Sequence, residues 1–359
     1  MTSFPSSFAP ETVSLPHSLA PDSLPASSLF ALVSRPTSSP DAAHSAAPVL
    51  VFLHGYPQNH TLWSPVLHWL DQHTDVVQRF RIVVPDLPGY GQSRKAVSPD
   101  GSHEAYSKRE VGKDMLALVD ALWPGDKPKV VLIGHDRGAR VAYRLAKDRR
   151  DRVVGLSVQD IVPTIHQFKR MSYANERHFV TLSASHWIFL GSPSPVAEKF
   201  LLSSPSLATW YAAHNIAAWS GSRFKAAKHS GDLAGELESR FDPAALASWT
   251  EQYADRACVL GSLEDYRAGA SIDLVHDEAD GADGERVQCP LLALWSGQLE
   301  RAGEGVPEGK NMRETWEARG PEGDTRAKRV GDDGVGHFLP IEAAEETARE
   351  VGEWIAKYW

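Results

Sequence analysis

The sequence predicts an α/β fold, in which helices flank a mostly parallel sheet and a helical segment interrupts that sheet. Segments with strand character alternate with segments whose apolar residues recur at helical spacing, a pattern typical of a parallel sheet covered on both faces. The strand segments of the first half are residues 49–53, 80–84, 129–134 and 152–158. Strand character is missing from 163 to 280, returns at 290–296, and is followed by a predicted helix at 341–358.

This pattern predicts a division into three parts. Residues 1–162 form the first part of the core, 163–282 a helical cap, and 283–359 the second part of the core. Residues 1–48 are rich in Ser, Pro and Ala, yet Thr12–Leu15 and Ser28–Ser34 have the composition of two short strands. We therefore expect an edge hairpin at the start of the chain.

A sharp turn joins the strand at 129–134 to a predicted helix. The turn is Gly134-His135-Asp136-Arg137-Gly138, and it resembles the nucleophile elbow of α/β-hydrolases, where small neighbours let the tip residue stand clear of the sheet. The tip residue here is Asp136 rather than serine. A carboxylate is suited to displacing a leaving group from a saturated carbon, because the alkyl ester so formed can be cleaved by water. The elbow therefore predicts cleavage of carbon–halogen bonds or opening of epoxides.

Two arginines follow the predicted nucleophile. Arg137 is adjacent to it, and Arg140 lies three residues further on, on the same side of the helix. Guanidinium groups bind carboxylates through a planar fork, and a bound anion would offset two cations placed at a helix N-terminus. The pair indicates an anionic substrate; the alternative is that both arginines are surface charges.

A base and its orienting acid should complete the site. His337 lies in a loop just before the last helix, which is the place of the histidine in the nucleophile–acid–histidine order of α/β-hydrolases. Two acids are candidates, Asp160 after the strand at 152–158 and Glu300 after the strand at 290–296. We favour Asp160, because its short side chain is well fixed at the carboxyl end of a strand. The backbone N–H of Tyr56, in the loop after the strand at 49–53, is the predicted oxyanion donor together with that of Arg137.

Composition limits the partners of the protein. The chain has 359 residues and a net charge of −9, which favours neither nucleic acid nor an anionic membrane surface as a partner. Its two cysteines, Cys258 and Cys289, lie far apart and lack the spacing of a metal site, so we predict neither a metal nor a disulfide. The reaction expected of the elbow needs no organic cofactor. Neither a secretory signal nor a membrane-spanning segment is recognisable, and we expect a cytoplasmic protein.

The motifs together resemble the haloacetate dehalogenase family of α/β-hydrolases, particularly the fluoroacetate dehalogenases. The resemblance covers nearly the whole chain from Val49, and the set is far more specific than any one member. The motifs are Gly-His-Asp-Arg-Gly-Ala-Arg (134–140), Asp-Ile-Val-Pro-Thr (160–164), His-Trp-Ile-Phe-Leu (186–190), Glu-Asp-Tyr-Arg-Ala-Gly-Ala (264–270) and Gly-His-Phe-Leu-Pro (336–340).

The resemblance implies a role for each predicted site residue and a homodimeric assembly. It implies Asp136 as nucleophile, Asp160 and His337 as acid and base, Arg137 and Arg140 as carboxylate ligands, His186 and Trp187 as halide ligands, and Trp219 near the entrance. The family's third halide ligand, a tyrosine, corresponds here to Trp249, whose indole N–H can also donate a hydrogen bond.

We therefore expect a hydrolytic dehalogenase of short 2-haloacids, such as fluoroacetate or chloroacetate, that acts through an aspartyl ester. The main alternative is an epoxide hydrolase with the same nucleophile and base, in which Tyr253 or Tyr266 in the cap would protonate the epoxide oxygen. A ligand-binding protein that retains the fold without catalysis is a further alternative. The cap also looks longer than in the family, around residues 222–240, which would alter access to the site.

Overall fold

One twisted sheet organises the molecule. The computed structural model describes residues 4–15, 27–36, 47–171, 184–224, 232–281, 286–303 and 311–359. Within them, eight strands form a sheet of order β1-β2-β4-β3-β5-β6-β7-β8. The strands are β1 (Phe8–Leu15), β2 (Ser27–Ser34), β3 (Val49–Leu53), β4 (Ile82–Pro85), β5 (Val130–His135), β6 (Val153–Gln159), β7 (Leu291–Ser296) and β8 (Thr325–Val330). β2 is antiparallel to both β1 and β4, and every other pair of neighbours is parallel.

The predicted edge hairpin is confirmed by the antiparallel pairing of β1 with β2. β1 begins at Phe8, four residues before the predicted start, and the connecting residues 16–26 lie outside the described part of the chain. The sequence analysis missed β8, at the opposite edge of the sheet. Only Ala327 and Val330 of its six residues are buried, and charged side chains are typical of edge strands, where they hinder pairing with other chains.

Buried side chains on both faces of the sheet form the core. Along β5, Val130 and Leu132 belong to one apolar cluster, whereas Val131 and Ile133 belong to the other. This is the two-residue period of a strand that is covered on both sides. The covering helices are α1 (Ser64–His73), α2 (Val76–Arg79), α3 (Lys108–Leu122) and α4 (Asp136–Asp148), followed after the insertion by α13 (Gly297–Gly303), α14 (Met312–Glu317), α15 (Leu339–Glu342) and α16 (Ala344–Tyr358).

Between β6 and β7 the described chain forms helices only. They are α5 (Thr164–Arg170), α6 (Ser185–Leu190), α7 (Val196–Leu201), α8 (Pro205–Trp219), α9 (Leu233–Glu238), α10 (Pro243–Glu251), α11 (Arg256–Ala270) and α12 (Ile272–Ala279), with a short 3₁₀ helix at Gln252–Ala254. This is the segment in which the sequence predicts a cap, although residues 225–231 of its longer part lie outside the described ranges. Among the helices that the structure describes, none is both long and apolar enough to cross a bilayer.

Candidate active site

The elbow places Asp136 at the junction of β5 and α4. Its φ is +45°, in the left-handed region that non-glycine residues rarely adopt. The turn also requires a very small residue at 138, since a Cβ on Gly138 would lie 2.3 Å from the carbonyl oxygen of Leu53 in β3. The close approach to β3 and the strained backbone together hold Asp136 at the carboxyl end of the parallel strands.

His337 and Asp160 lie beside Asp136. The Nδ1 of His337 is 2.7 Å from Oδ2 of Asp160, and Oδ1 of Asp160 accepts a hydrogen bond of 2.6 Å from the backbone N–H of Ser296. The Nε2 of His337 lies 3.8 Å from Oδ1 of Asp136, an ion-pair distance longer than a hydrogen bond. Glu300, the other candidate acid, instead accepts from the indole of Trp295 at 3.2 Å. The structure therefore brings Asp160, and not Glu300, to His337.

His337 and Asp136 each shift the pKa of the other. Burial on its own would lower the pKa of His337, but the carboxylates of Asp136 and Asp160 raise it to about 10. Burial on its own would raise the pKa of Asp136, but the side chains of His337 and Arg137 hold it well below its usual range. At neutral pH the site therefore contains an ionised Asp136 facing a protonated imidazole.

The loop after β3 holds one carboxylate oxygen of Asp136. The backbone N–H of Tyr56 donates a 3.1 Å hydrogen bond to Oδ2 of Asp136, so Oδ1 is the oxygen that faces His337. A Cβ on Gly55 would lie 2.5 Å from the Cβ of Asp136, so this approach also needs glycine. His54 has a supporting role: burial lowers its pKa to about 4, and its neutral ring accepts from the backbone N–H of Leu87 at 2.9 Å.

A cavity of about 520 Å³ is lined by Asp136. Most of the predicted site residues line it, namely Tyr56, Asp136, Arg140, Asp160, His186, Trp187, Trp219 and His337. Trp219, at the end of α8, is only partly buried, consistent with a place near the entrance. The sequence analysis missed the polar part of the wall, because no motif distinguishes it. That part comprises Gln167, Arg170, Asn215, Gln298 and Arg301.

Arg140 supplies a cation to the wall of the cavity that Asp136 also lines. Its Nη1 donates to the carbonyl of Val162 at 3.0 Å and to the hydroxyl of Thr164 at 3.2 Å, and its guanidinium lies 4.8 Å from the ring centroid of Trp187. Burial lowers the pKa of Arg140 to about 10, which still leaves it charged at neutral pH. Its Nε is buried and makes no hydrogen bond within the described residues.

Arg137 does not line the cavity. Its Nε donates to Oδ2 of Asp265 at 2.7 Å and its Nη2 to Oδ1 at 3.0 Å, and the guanidinium lies 4.3 Å from the ring centroid of Tyr266. Lys108 pairs with the same carboxylate at 2.5 Å. The charge of Arg137 therefore lies behind the wall, with only its Nη1 lacking a partner among the described residues. Asp265 is part of the 264–270 motif, but its role was not apparent from the sequence.

Three hydrogen-bond donors face the cavity from the insertion. Among the described residues, the side chains of His186 and Trp187 and the hydroxyl of Tyr266 have no hydrogen-bond partner, and all three residues line the cavity. Burial lowers the pKa of His186 to about 3, so the ring is neutral and donates through one nitrogen. The ring of Tyr266 lies 5.8 Å from that of His186 and 5.5 Å from that of Trp187, centroid to centroid.

Trp249 lies outside this group. Its indole N–H donates to the hydroxyl of Thr61 at 2.7 Å, and its ring packs in a separate apolar cluster that includes Phe241 and Phe338. The structure does not bring Trp249 to the cavity. Tyr253, one turn further on, is also buried and absent from the lining. The direction of the indole depends on Thr61, which is remote in sequence.

The fold and the site define an α/β-hydrolase with an aspartate at the elbow. A family model described as the alpha/beta hydrolase fold matches residues 48–180. In the part of the chain that the structure describes, no cluster of side chains has the composition of a metal site.

Sequence similarity over most of the chain narrows this class of hydrolases to one family. A fluoroacetate dehalogenase from Burkholderia is 33% identical over 313 residues, which cover 87% of this chain and 88% of that protein. A soluble epoxide hydrolase from Corynebacterium is 36% identical over 114 residues, covering 32% of this chain and 35% of that one. A Nostoc structure, described as a candidate α/β hydrolase, superposes with a TM-score of 0.71 at 29% identity and covers 99% of both chains. The chain belongs to the haloacetate dehalogenase family of α/β-hydrolases.

Proposed function

We propose that this hydrolase converts short 2-haloacids, such as fluoroacetate or chloroacetate, to the 2-hydroxy acid and halide through a covalent aspartyl ester. The observation that carries the proposal is that Arg140 and Asp136 line the same cavity. An ionised nucleophile and a buried cation at one site suit a small molecule with a carboxylate next to its reacting carbon.

In the first step Arg140 holds the substrate carboxylate, and the charge of Arg137 reinforces it from behind the wall. Oδ1 of Asp136 attacks the carbon that carries the halogen, the carbon–halogen bond breaks, and the halide leaves with the bonding electrons. The N–H groups of His186 and Trp187 receive the departing halide. Such donors matter most for fluoride, a poor leaving group whose developing charge needs stabilisation.

In the second step water cleaves the ester. Ester formation removes the charge of Asp136, which is one of the groups that raise the pKa of His337. The imidazole can then lose its proton and act as a base for the water that attacks Cγ of the ester. Oδ2 of Asp136 becomes the oxyanion, which the N–H of Tyr56 stabilises. The bond from Cγ to Oδ1 then breaks, and the departing oxygen takes the proton from His337, which releases the hydroxy acid. The second proton of the water passes to His337 and restores both the carboxylate and the imidazolium.

The two alternatives fit the site less well. A neutral epoxide would leave the buried cation of Arg140 without an anionic partner, which costs free energy on binding. A ligand-binding protein without catalysis would have no need for a strained nucleophile beside a base and its acid. Asp136, His337 and Asp160 all face the same cavity, which favours a catalytic protein.

The test is halide release from fluoroacetate, chloroacetate and 2-chloropropionate, measured side by side. Asp136→Asn should abolish turnover. Arg140→Gln removes a charge-assisted hydrogen bond worth about 1.5–3 kcal/mol, so kcat/KM should fall by roughly 10- to 100-fold. Arg326→Gln is the matched control, since Arg326 is exposed and pairs with Glu353. Absence of halide from all three acids, or an unchanged kcat/KM in Arg140→Gln, would refute the proposal.

A further inference from the structure

We infer that Glu342 is a positioning residue for ester hydrolysis, because it fixes the backbone that carries His337 and joins that backbone to the helical insertion. Glu342 itself does not line the cavity, and it lies outside the sequence motifs. The inference rests on the proposed function, since it assumes an aspartyl ester that His337 helps to cleave. It adds a residue that acts on the reaction only through the base.

No regular secondary structure holds His337. Residues 331–338 lie between β8 and α15, in neither a helix nor a strand. The position of such a loop depends on the partners of its own polar groups, and buried backbone N–H groups need partners. The imidazole is bound to Asp160 at 2.7 Å, but a hydrogen bond at the tip of the side chain does not fix the backbone. The partners of the N–H groups at 336–338 therefore decide where His337 is held.

The carboxylate of Glu342 accepts the N–H groups on both sides of His337. Its Oε2 accepts from Gly336 at 2.8 Å, and its Oε1 accepts from Phe338 at 3.0 Å. Glu342 is buried, and burial raises its pKa, while these N–H groups offset part of that effect. Hydrogen bonds to a carboxylate are stronger than those between neutral groups. Glu342 thus holds the chain immediately before and after the base.

The same carboxylate also binds the insertion. Its Oε2 accepts a second hydrogen bond of 2.8 Å from the N–H of Gly221, two residues after the end of α8. The N–H of His337 in turn donates to the carbonyl of Trp219 at 3.0 Å. A Cβ on Gly221 or on Gly336 would collide with the backbone of the other segment. The loop of the base is therefore tied to the chain that carries Trp219 at the cavity wall.

The two chemical steps depend differently on these hydrogen bonds. Attack by Asp136 needs no base, whereas ester hydrolysis needs His337 within hydrogen-bond reach of the attacking water. A misplacement of about 1 Å can cost roughly 100-fold in rate. Loss of the hydrogen bonds to Glu342 should therefore slow hydrolysis far more than attack. A residue that only supports folding would change the amount of active protein and leave the ratio of the two rates unchanged.

The experiment measures both rates in the full chain, with the protein in excess over chloroacetate. Chloride release gives the rate of attack, and the decay of the carboxymethyl adduct, followed by intact mass, gives the rate of hydrolysis. Glu342→Gln keeps the size of the side chain but turns one acceptor into an NH₂ donor, which must face a backbone N–H. Attack should keep the wild-type rate, and hydrolysis should slow by roughly 10- to 100-fold, so that the adduct persists.

Glu350→Gln is the matched control. Glu350 is also a buried carboxylate near the end of the chain, but its partners are Arg326 and Lys328 of β8 rather than the loop of the base. This variant should keep the wild-type ratio of hydrolysis to attack, whatever it costs in folded protein. Glu342→Asp is the second variant, which keeps the charge and withdraws the carboxylate by one methylene. It should also lower the ratio, and it serves as the test if Glu342→Gln does not fold.

The outcomes separate the inference from the proposed function. A ratio that falls in the variants of Glu342 but not in Glu350→Gln supports the inference. An unchanged ratio in the variants of Glu342, or an equal fall in the control, overturns the inference and leaves the proposed function standing. Absence of chloride release or of an adduct in the wild type overturns the proposed function and the inference with it.

Discussion

Replacing His337 with glutamine should stop the reaction after its first chemical step. The nucleophile Asp136 remains, so one halide per site should be released at a rate within about tenfold of the wild-type rate. Glutamine cannot take a proton from water, so the ester should accumulate. General base catalysis contributes about 10²–10⁴-fold, or ~3–5 kcal/mol on the barrier, so hydrolysis of the ester should slow by this factor.

The distances in the site explain why the two steps separate. In the resting enzyme Nε2 of His337 lies 3.8 Å from Oδ1 of Asp136. At an effective dielectric constant of about 20, two charges at this distance attract by on the order of 4 kcal/mol. Ester formation removes this attraction, and His337 then loses its proton more easily. The base is therefore required only after alkylation, and its loss should affect hydrolysis of the ester far more than attack.

The assay is rapid mixing with chloroacetate, followed by chloride analysis and intact-mass measurement. One chloride per site and a carboxymethyl adduct on the peptide that contains Asp136 are expected. His68→Gln, a substitution of a half-buried residue on α1 that does not line the cavity, should behave as the wild type. In the wild type the release of the first chloride should keep its rate as the pH falls from about 7 to 5, because the pKa of Asp136 is held well below its usual range. Multiple turnovers without an adduct in His337→Gln would refute the reasoning.

Three further substitutions test separate parts of the site. Asp160→Asn removes the carboxylate at 2.7 Å from His337, so ester hydrolysis should slow by roughly 100-fold while the halide burst persists; a lost burst would contradict this. Trp249→Phe deletes the hydrogen bond to Thr61 and should lower the free energy of unfolding by about 1 kcal/mol in urea titration. The ratio of fluoroacetate to chloroacetate activity should be the same in this variant as in the wild type. A changed ratio would show that Trp249 acts on the halide. Gly138→Ala would place a Cβ 2.3 Å from a backbone oxygen of β3, so little folded protein is expected by circular dichroism, and a native-like spectrum would disprove the steric argument.

The parts of the site that the sequence predicts are those determined by local chain geometry. The elbow is recognisable because a buried strand, a turn that needs glycine and a helix follow one another without interruption. Asp160 and His337 could be chosen because the carboxyl ends of parallel strands meet at one edge of the sheet, where their loops converge. The same alternation of strands and helices was enough to predict the fold class.

The parts that could not be predicted depend on contacts between remote residues. The hydrogen-bonded ion pair with Asp265, which lies 128 positions away in the chain, holds the guanidinium of Arg137 outside the cavity lining. The indole of Trp249 turns to Thr61 for the same kind of reason, because a buried N–H needs a partner and the nearest one comes from another element. β8 was missed because four of its six residues are not buried and its charged side chains lack the apolar pattern of a central strand.

The charge of Asp136 links the two halves of the reaction. It raises the pKa of His337, so the imidazole stays protonated at rest. The imidazole therefore cannot act as a base before the nucleophile has attacked. Once an ester forms, this charge disappears and the imidazole can take a proton from water. The order of the two steps thus follows from the electrostatics of one carboxylate.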